Sequence, residues 1–413
     1  MTGQPAAPTP RPPFITRVRI QNYKSIAQCD VTLGRFNVLL GLNAAGKSNF
    51  LDALRFVRDA LADGAAEAVA SRGGLDEVLC RVPAPASSAT IALEFQLEGV
   101  SGDREIAWEG RYEITIGHPL GSGGPNRGGV RVDREFCELY RPGRPAKKEH
   151  RFLQRDRTSK SRRAGRLELS MLGDTDPFGD LHFALSEMFF YSPDLSELRA
   201  PQPKTDGDTE LGEDGAGLGS SLARLGQQER KRLSAYVAAI VPDVVDVGST
   251  DPDGDYLAAR MTLAPEGSSE QYVFRAESMS EGTIRAIGLL TALFQPPARE
   301  GWIPLIAVEE PELALHPLAA GVLYDALTEA SEYVQVLVTS QSAELLDRKE
   351  ADLSDIRVVV AERGLTVIGD VDEVSRSIVA EGLATPADLL RSNQFQPVVK
   401  PFTPASAPEE AGE

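Results

Sequence analysis

The chain has 413 residues, 42% hydrophobic and 25% charged, which is ordinary for a globular protein and more than one average domain core needs. Its 43 Lys and Arg against 61 Asp and Glu give a formal charge of −18, so any nucleic-acid contact must be made by a local basic patch. No apolar run approaches the about eighteen residues of a membrane-spanning helix, and three scattered cysteines (Cys29, Cys80, Cys137) point to a reducing cytoplasm rather than a disulfide framework. His118, His150, His182 and His316 stand at no ligand spacing to a cysteine, which argues against structural zinc.

In chain order, residues 1–13 are proline-rich without an apolar signal core and are expected to be a disordered arm. Residues 18–22 and 36–40 read as short strands, the second ending in glycine. Residues 49–61 place Phe50, Leu51, Leu54, Val57 and Leu61 at helical spacing. Residues 90–140 alternate apolar and polar positions around a glycine-rich break at 121–129, which predicts an antiparallel insert. Residues 141–166 hold 11 Lys or Arg against two acids, a local +9 that leaves −27 on the rest of the chain. A Gly/Asp-rich loop is expected at 201–220, then a helix over 222–240 and two strands flanking the turn at 251–255. The last third alternates helix 281–295, strand 303–308, helix 317–331 and strand 334–339, the pattern of a parallel sheet with crossover helices. Residues 397–413, rich in Pro, Ala and Glu, are expected to be disordered.

Gly41-Leu-Asn-Ala-Ala-Gly46-Lys47-Ser48 fits the phosphate-loop pattern G-x-x-x-x-G-K-[ST] at every fixed position, between a strand and a helix. In such a loop successive backbone N–H groups and the helix N-terminus attract phosphate. Lys47 would reach the β- and γ-phosphates, and the Ser48 hydroxyl would ligate Mg²⁺. The apolar run Ile303-Pro-Leu-Ile-Ala-Val308 ends in Glu309-Glu310-Pro-Glu312, the arrangement that places a metal-linked carboxylate and a water-activating base beside phosphates. Between the two motifs, Ser280-Glu-Gly282-Thr opens a helix with an apolar face, which taken alone is an N-cap. Ser280 lies 30 residues before Glu310 and 233 after Lys47.

That order resembles the ABC-class ATPase heads of the SMC and RecF-like group: phosphate loop, large insertion, Ser-x-Gly signature, double glutamate, then a switch strand. In particular it resembles the small bacterial ATPases without coiled-coil arms, a group that includes the ATPase halves of overcoming-lysogenisation-defect and other phage-defence proteins. Ile20-Gln-Asn-Tyr-Lys24-Ser25, Arg72-Gly-Gly, Tyr191-Ser-Pro-Asp and Leu315-His316-Pro also carry the likeness, over about residues 14–80 and 185–346. It implies an α/β P-loop ATPase with a mixed β-sheet core, a strand-rich insertion and no long coiled coil. The implied division is a head of 14–84 and 276–370, an insertion at 85–185, a helical/β subdomain at 186–275 and an extension at 371–413. ATP and Mg²⁺ are the implied ligands, with two heads sandwiching two nucleotides. Lys24, Ser25, Asn43, Ala44, Ala45, Gly46, Lys47, Ser48 and Asn49 would contact the nucleotide, as would Ser280 and Gly282 of the opposite copy. Glu309 would join Ser48 on the metal, and Glu310 would be the base.

Two departures stand out. Glu309 occupies a place usually held by Asp, and Gln341 stands where the switch histidine is usual. An amide can hydrogen-bond a γ-phosphate but cannot carry a proton charge, so slow hydrolysis is expected. Gln96 and Gln154 are the candidates for a further nucleotide-contacting glutamine. Residues 141–166 read either as a DNA-backbone contact, through Arg162, Arg163 and Arg166, or as a solvated loop. The expected function is an ATP-driven dimer in a DNA-linked process, DNA repair or phage defence; the alternative is a slow nucleotide-sensing switch regulating a separate nuclease or toxin. The acidic groups at 251–255 and 370–373 read as turns: the first lacks the glycine and glutamate of a calcium loop, and too little chain follows the second for a nuclease domain.

Overall fold

The computed structural model describes residues 13–98, 106–119, 129–142, 150–157, 166–172, 177–204, 210–251, 254–267, 269–346, 352–392 and 394–402. Strands β1 (Ile15–Tyr23) and β2 (Ile26–Thr32) form a hairpin. They lie in one antiparallel sheet with β4 (Ser88–Glu98), β5 (Ile106–Gly117), β6 (Arg131–Tyr140) and β7 (His150–Arg157), ordered β2-β1-β4-β5-β6-β7. The antiparallel character predicted for 90–140 holds. The boundary expected at 85 does not fall at a seam, because β4 pairs along β1 and completes the hydrogen bonding of the N-terminal hairpin.

One face of this sheet buries Val18, Ile20, Ile91, Leu93 and Ile114 against the helix Lys47–Ala62. The other face carries a register-matched row of alternating charge, Arg17, Glu94, Arg111, Glu138 and Arg151. Alternation along each strand produces the two faces.

The second sheet is β17-β16-β15-β3-β14-β13-β8. Its members are β3 (Phe36–Leu40), β8 (Phe189–Tyr191), β13 (Leu305–Glu309), β14 (Gln335–Ser340), β15 (Ile356–Glu362), β16 (Leu365–Val371) and β17 (Pro397–Val398). Strands β15, β3, β14, β13 and β8 run parallel; β16 and β17 are antiparallel to their neighbours. Strand β3 shows why its sequence is a continuous apolar run. Leu39 packs into the core shared with the antiparallel sheet, while Phe36, Val38 and Leu40 face a second core built on the helices Glu281–Phe294 and Pro317–Ala330.

Strand β8 lies inside the segment expected to be a separate subdomain at 186–275, and β17 lies in the expected tail. Both extend the main sheet, since an edge strand offers unpaired backbone groups that a short segment can satisfy. The rest of the tail, 403–413, and residues 1–12 of the arm fall outside the described residues. A small sheet of β10 (Val244–Thr250), β11 (Tyr256–Leu263) and β12 (Tyr272–Arg275), with β9 (Gln202–Pro203) against β11, leads into the Ser280 motif. The helix expected over 222–240 is two helices, Leu218–Arg224 and Gln227–Ile240, divided at Leu225-Gly226. Among the described residues no helix is long and apolar enough to cross a membrane.

Candidate nucleotide-binding site

Strands β3 and β13 flank β14, and register pairs Leu40 with Ser340 and Glu309 with Thr339. The loop after β3, the acids after β13 and the switch after β14 therefore emerge side by side at the carboxyl end of a parallel sheet, where α/β proteins bind ligands. Gly41 N–H donates to Ser340 O at 3.1 Å, tying the start of the loop to the switch strand. A Cβ on Gly41 would lie 2.1 Å from Val359 O, so only glycine lets β15 approach here. Gly46, at φ +100°, precedes the helix Lys47–Ala62, whose N-terminus has no side-chain cap. Those first N–H groups are available to an anion.

Lys47 is buried, and its Nζ donates to Gly41 O at 2.8 Å and Leu42 O at 3.2 Å. The same ammonium lies 3.2 Å from Glu310 Oε1. Ser48 Oγ donates to Glu309 Oε2 at 2.5 Å. Glu310 adopts φ +46°, a left-handed conformation costly for a side-chain-bearing residue, and its N–H donates to Thr339 O at 2.9 Å. Gln341 N–H in turn donates to Glu310 Oε2 at 3.3 Å. Thus Lys47, Ser48, Glu309, Glu310 and Gln341, chosen from sequence, meet in one place.

A second network braces the loop from behind. Asn49 Nδ2 donates to Ser25 Oγ at 2.5 Å, and Ser25 Oγ lies 2.6 Å from Thr366 Oγ1, which donates to Ala45 O at 2.9 Å. Thr366, on β16, gave no signal in the sequence; it stands 321 residues from Ala45, the loop residue it supports, and belongs to no motif. Lys24, at the β1–β2 turn, pairs with Asp52 Oδ2 at 2.5 Å; Asp52 also accepts from Tyr23 OH at 2.7 Å and from Arg72 Nε at 3.0 Å. Burial alone would raise the Asp52 carboxyl, but Lys24, Arg72 and Tyr23 together hold it below the usual range. Burial, with the Asp52 charge, pushes the Tyr23 phenol well up.

Ser280 and Gly282 make contacts of a different kind. Ser280 caps the helix Glu281–Phe294 by accepting from Thr283 N at 3.2 Å, and Gly282 packs on Ala314 O and Leu315, where a Cβ would sit 2.5 Å from that carbonyl. Neither is brought to the phosphate loop of its own chain by these contacts. Asn43 and Ala44 are exposed on the loop, Ala44 at φ +62°. Gln96 Nε2 donates to Glu109 Oε1 at 3.4 Å across the paired strands β4 and β5 of the antiparallel sheet. The Gln154 side chain, Arg162 and Arg163 lie outside what is described, while Arg166 is exposed. Asp251 accepts from Gly254 N–H at 2.7 Å in its turn, and Asp372 caps the helix Glu373–Ala380 through Ser375 N–H at 3.0 Å.

Residues 36–347 match the model of a family described as "AAA domain, putative AbiEii toxin, Type IV TA system". The chain belongs to this AAA_21 family. No curated protein matches it. The AAA_21 chain is similar to an SmcHead solved bound to the C-winged helix domain of ScpA, with 15% identity, TM-score 0.54, and 89% of this chain and 100% of that one covered. It is likewise similar to a Pyrococcus furiosus Smc head domain with an extended coiled coil, bound to the C-terminal domain of ScpA, at 14% identity, TM-score 0.55, and 90% and 99% coverage. At such identity the likeness shows the fold, which is that of an ABC/SMC-like P-loop ATPase head. Among the described residues of this AAA_21 chain the helices are short, the P-loop helix spanning 16 residues. A P-loop family implies nucleotide, usually with Mg²⁺.

Proposed function

We propose that this AAA_21 chain binds and hydrolyses ATP as a homodimer, each nucleotide held between the phosphate loop of one copy and Ser280 and Gly282 of the other. The convergence of Lys47, Ser48, Glu309 and Glu310 at the carboxyl ends of neighbouring strands carries this reading. The Ser48 hydroxyl and the Glu309 carboxylate are adjacent hard oxygen donors, a set that suits Mg²⁺, and these two residues would hold it. When bound, the ion neutralises phosphate charge.

The protein's own groups do the rest. Loop N–H groups and Lys47 bind the phosphate oxygens. Glu310 accepts a proton from the water whose oxygen attacks the γ-phosphorus, while the bond to the β,γ-bridging oxygen breaks and ADP leaves. Gln341 donates its amide to a γ-phosphate oxygen. Burial of all three cysteines as free thiols supports a cytoplasmic setting.

We place this cycle in a DNA-linked process, repair or phage defence, on the strength of the basic segment 141–166. A second reading is a slow nucleotide-sensing switch that regulates a separate nuclease or toxin. Gln341 favours it, because an amide cannot take up a proton, and so does the toxin–antitoxin description of the family. Light scattering on a sizing column tests the dimer: Glu310→Gln with ATP and Mg²⁺ should elute as a stable dimer, and the wild type should release phosphate. ATP binding without phosphate release above the Lys47→Ala background would favour the switch, and absence of ATP binding would end both readings.

A further inference from the structure

Glu312 has no part in the scheme above, yet its surroundings tie it to the residues that do. It lies two positions beyond Glu310 in a turn closed by Leu313 N–H to Glu310 O at 2.9 Å and Leu315 N–H to Glu312 O at 3.0 Å. Its Oε1 accepts from Ser340 Oγ at 2.5 Å, and its Oε2 is buried without a hydrogen-bond partner. Ser340 is fully buried at the end of β14, and its Oγ also accepts from Ser342 N–H at 3.0 Å. Between those two serines, Gln341 N–H donates to Glu310 Oε2. The acidic turn therefore grips three consecutive switch residues: Ser340 through Glu312, Gln341 through Glu310, and Ser342 through the Ser340 hydroxyl.

Burying a carboxyl with one oxygen unpartnered opposes folding, and an apolar side chain of similar size would close the turn at less cost. Buried acids of this kind concentrate where chemistry needs them. We propose that Glu312 is a positioning residue for hydrolysis, fixing the Gln341 amide relative to Glu310 through the Ser340 hydroxyl. The proposal rests on the reading of Glu310 as base and Gln341 as γ-phosphate contact.

Four variants test it by steady-state phosphate release and by equilibrium ATP binding: Glu312→Ala, Ser340→Ala, the double variant, and Glu312→Gln. Glu312→Ala and Ser340→Ala should each lower kcat about tenfold while ATP affinity stays within about twofold. The double variant should be no worse than Ser340→Ala alone, because the Glu312 bond is already lost there. Glu312→Gln, whose amide oxygen still accepts from Ser340, should recover most of the rate. Glu310→Gln run alongside separates the two levels. If it turns over ATP at the wild-type rate, the base reading fails and the Glu312 proposal with it. If it is inactive while Glu312→Ala keeps wild-type kcat, the positioning role alone is overturned. A Glu312→Ala that loses affinity, rate and melting temperature together, with no rescue by Glu312→Gln, reduces Glu312 to a structural residue and overturns it equally.

Discussion

Lys47 Nζ and Glu310 Oε1 stand 3.2 Å apart, so the cation expected to hold phosphate and the carboxylate expected to activate water are ion-paired with each other. A γ-phosphate that takes Lys47 must compete with this carboxylate, and in doing so it releases Glu310 toward water. On the proposed reading, nucleotide arrival and base release are one exchange of partners.

That exchange has a measurable sign. Glu310→Gln removes the competing negative charge, so ATP affinity should rise a fewfold while turnover falls by about a hundredfold or more. Lys47→Ala should weaken affinity and turnover together. Calorimetry and phosphate release check both; a Glu310→Gln that binds ATP more weakly than wild type would contradict the exchange.

The trans arrangement predicts a specific defect for Ser280→Arg. Among the described residues the exposed Ser280 hydroxyl hydrogen-bonds only Thr283, in its helix cap, so the monomer should stay folded, with a loss of about 1 kcal/mol for the cap. The long cation would instead meet the partner's nucleotide, abolishing dimerisation and ATPase activity. Mixing it with Lys47→Ala should restore at most one working site per heterodimer. Full phosphate release by Ser280→Arg alone would remove the trans role.

Thr366 supports the loop through Ala45 O and Ser25, and it leaves no space for a side chain at residue 46, where a Cβ would lie 1.8 Å from Thr366 Oγ1. Thr366→Val removes both hydrogen bonds and should cost about 1–3 kcal/mol of stability and several-fold in ATP affinity. Gly46→Ala adds the clash and a disfavoured positive φ, so ATP binding should be lost. Thermal unfolding with and without ATP reads both effects.

Burial, opposed by the Ser340 bond and reinforced by the Glu310 charge, pushes the Glu312 carboxyl up to about 7 from an ordinary 4.5. Between these values the folded protein keeps a proton that the unfolded chain has released. This contribution to stability is complete below pH 4.5 and lost as pH rises through about 7. Glu312→Gln is neutral throughout and lacks that slope. Its stability relative to wild type should therefore improve from about pH 5 to about pH 8 by up to about 3 kcal/mol, at about 1.4 kcal/mol per pKa unit, measured by urea unfolding.

For the basic segment, reversing Arg162, Arg163 and Arg166 to Glu should weaken DNA binding without altering ATP affinity. Wild-type binding should fall with salt by a log–log slope of about −0.9 per neutralised phosphate on duplex DNA. Fluorescence anisotropy over a salt series measures this. Equal affinity of variant and wild type would exclude the segment, and no wild-type binding would favour a protein partner.

The sequence by itself determined the local chemistry. The loop Gly41–Ser48, the acids Glu309 and Glu310 and the cap Ser280 were legible because each depends on residue types at fixed short spacing, and β3 and the helix after it were legible because periodicity is local. Tertiary structure alone decided the long-range pairings. Backbone hydrogen bonding joined the expected insertion to the N-terminal hairpin and drew β8 and β17 into the main sheet. It also brought Thr366 under Gly46 and Glu312 onto Ser340. Such contacts join residues tens to hundreds of positions apart, and a lone threonine or a third glutamate in an acidic turn has no spacing to betray its partner. Which strands lie adjacent is settled by the packing of whole sheets, and only that adjacency sets Lys47 against Glu310.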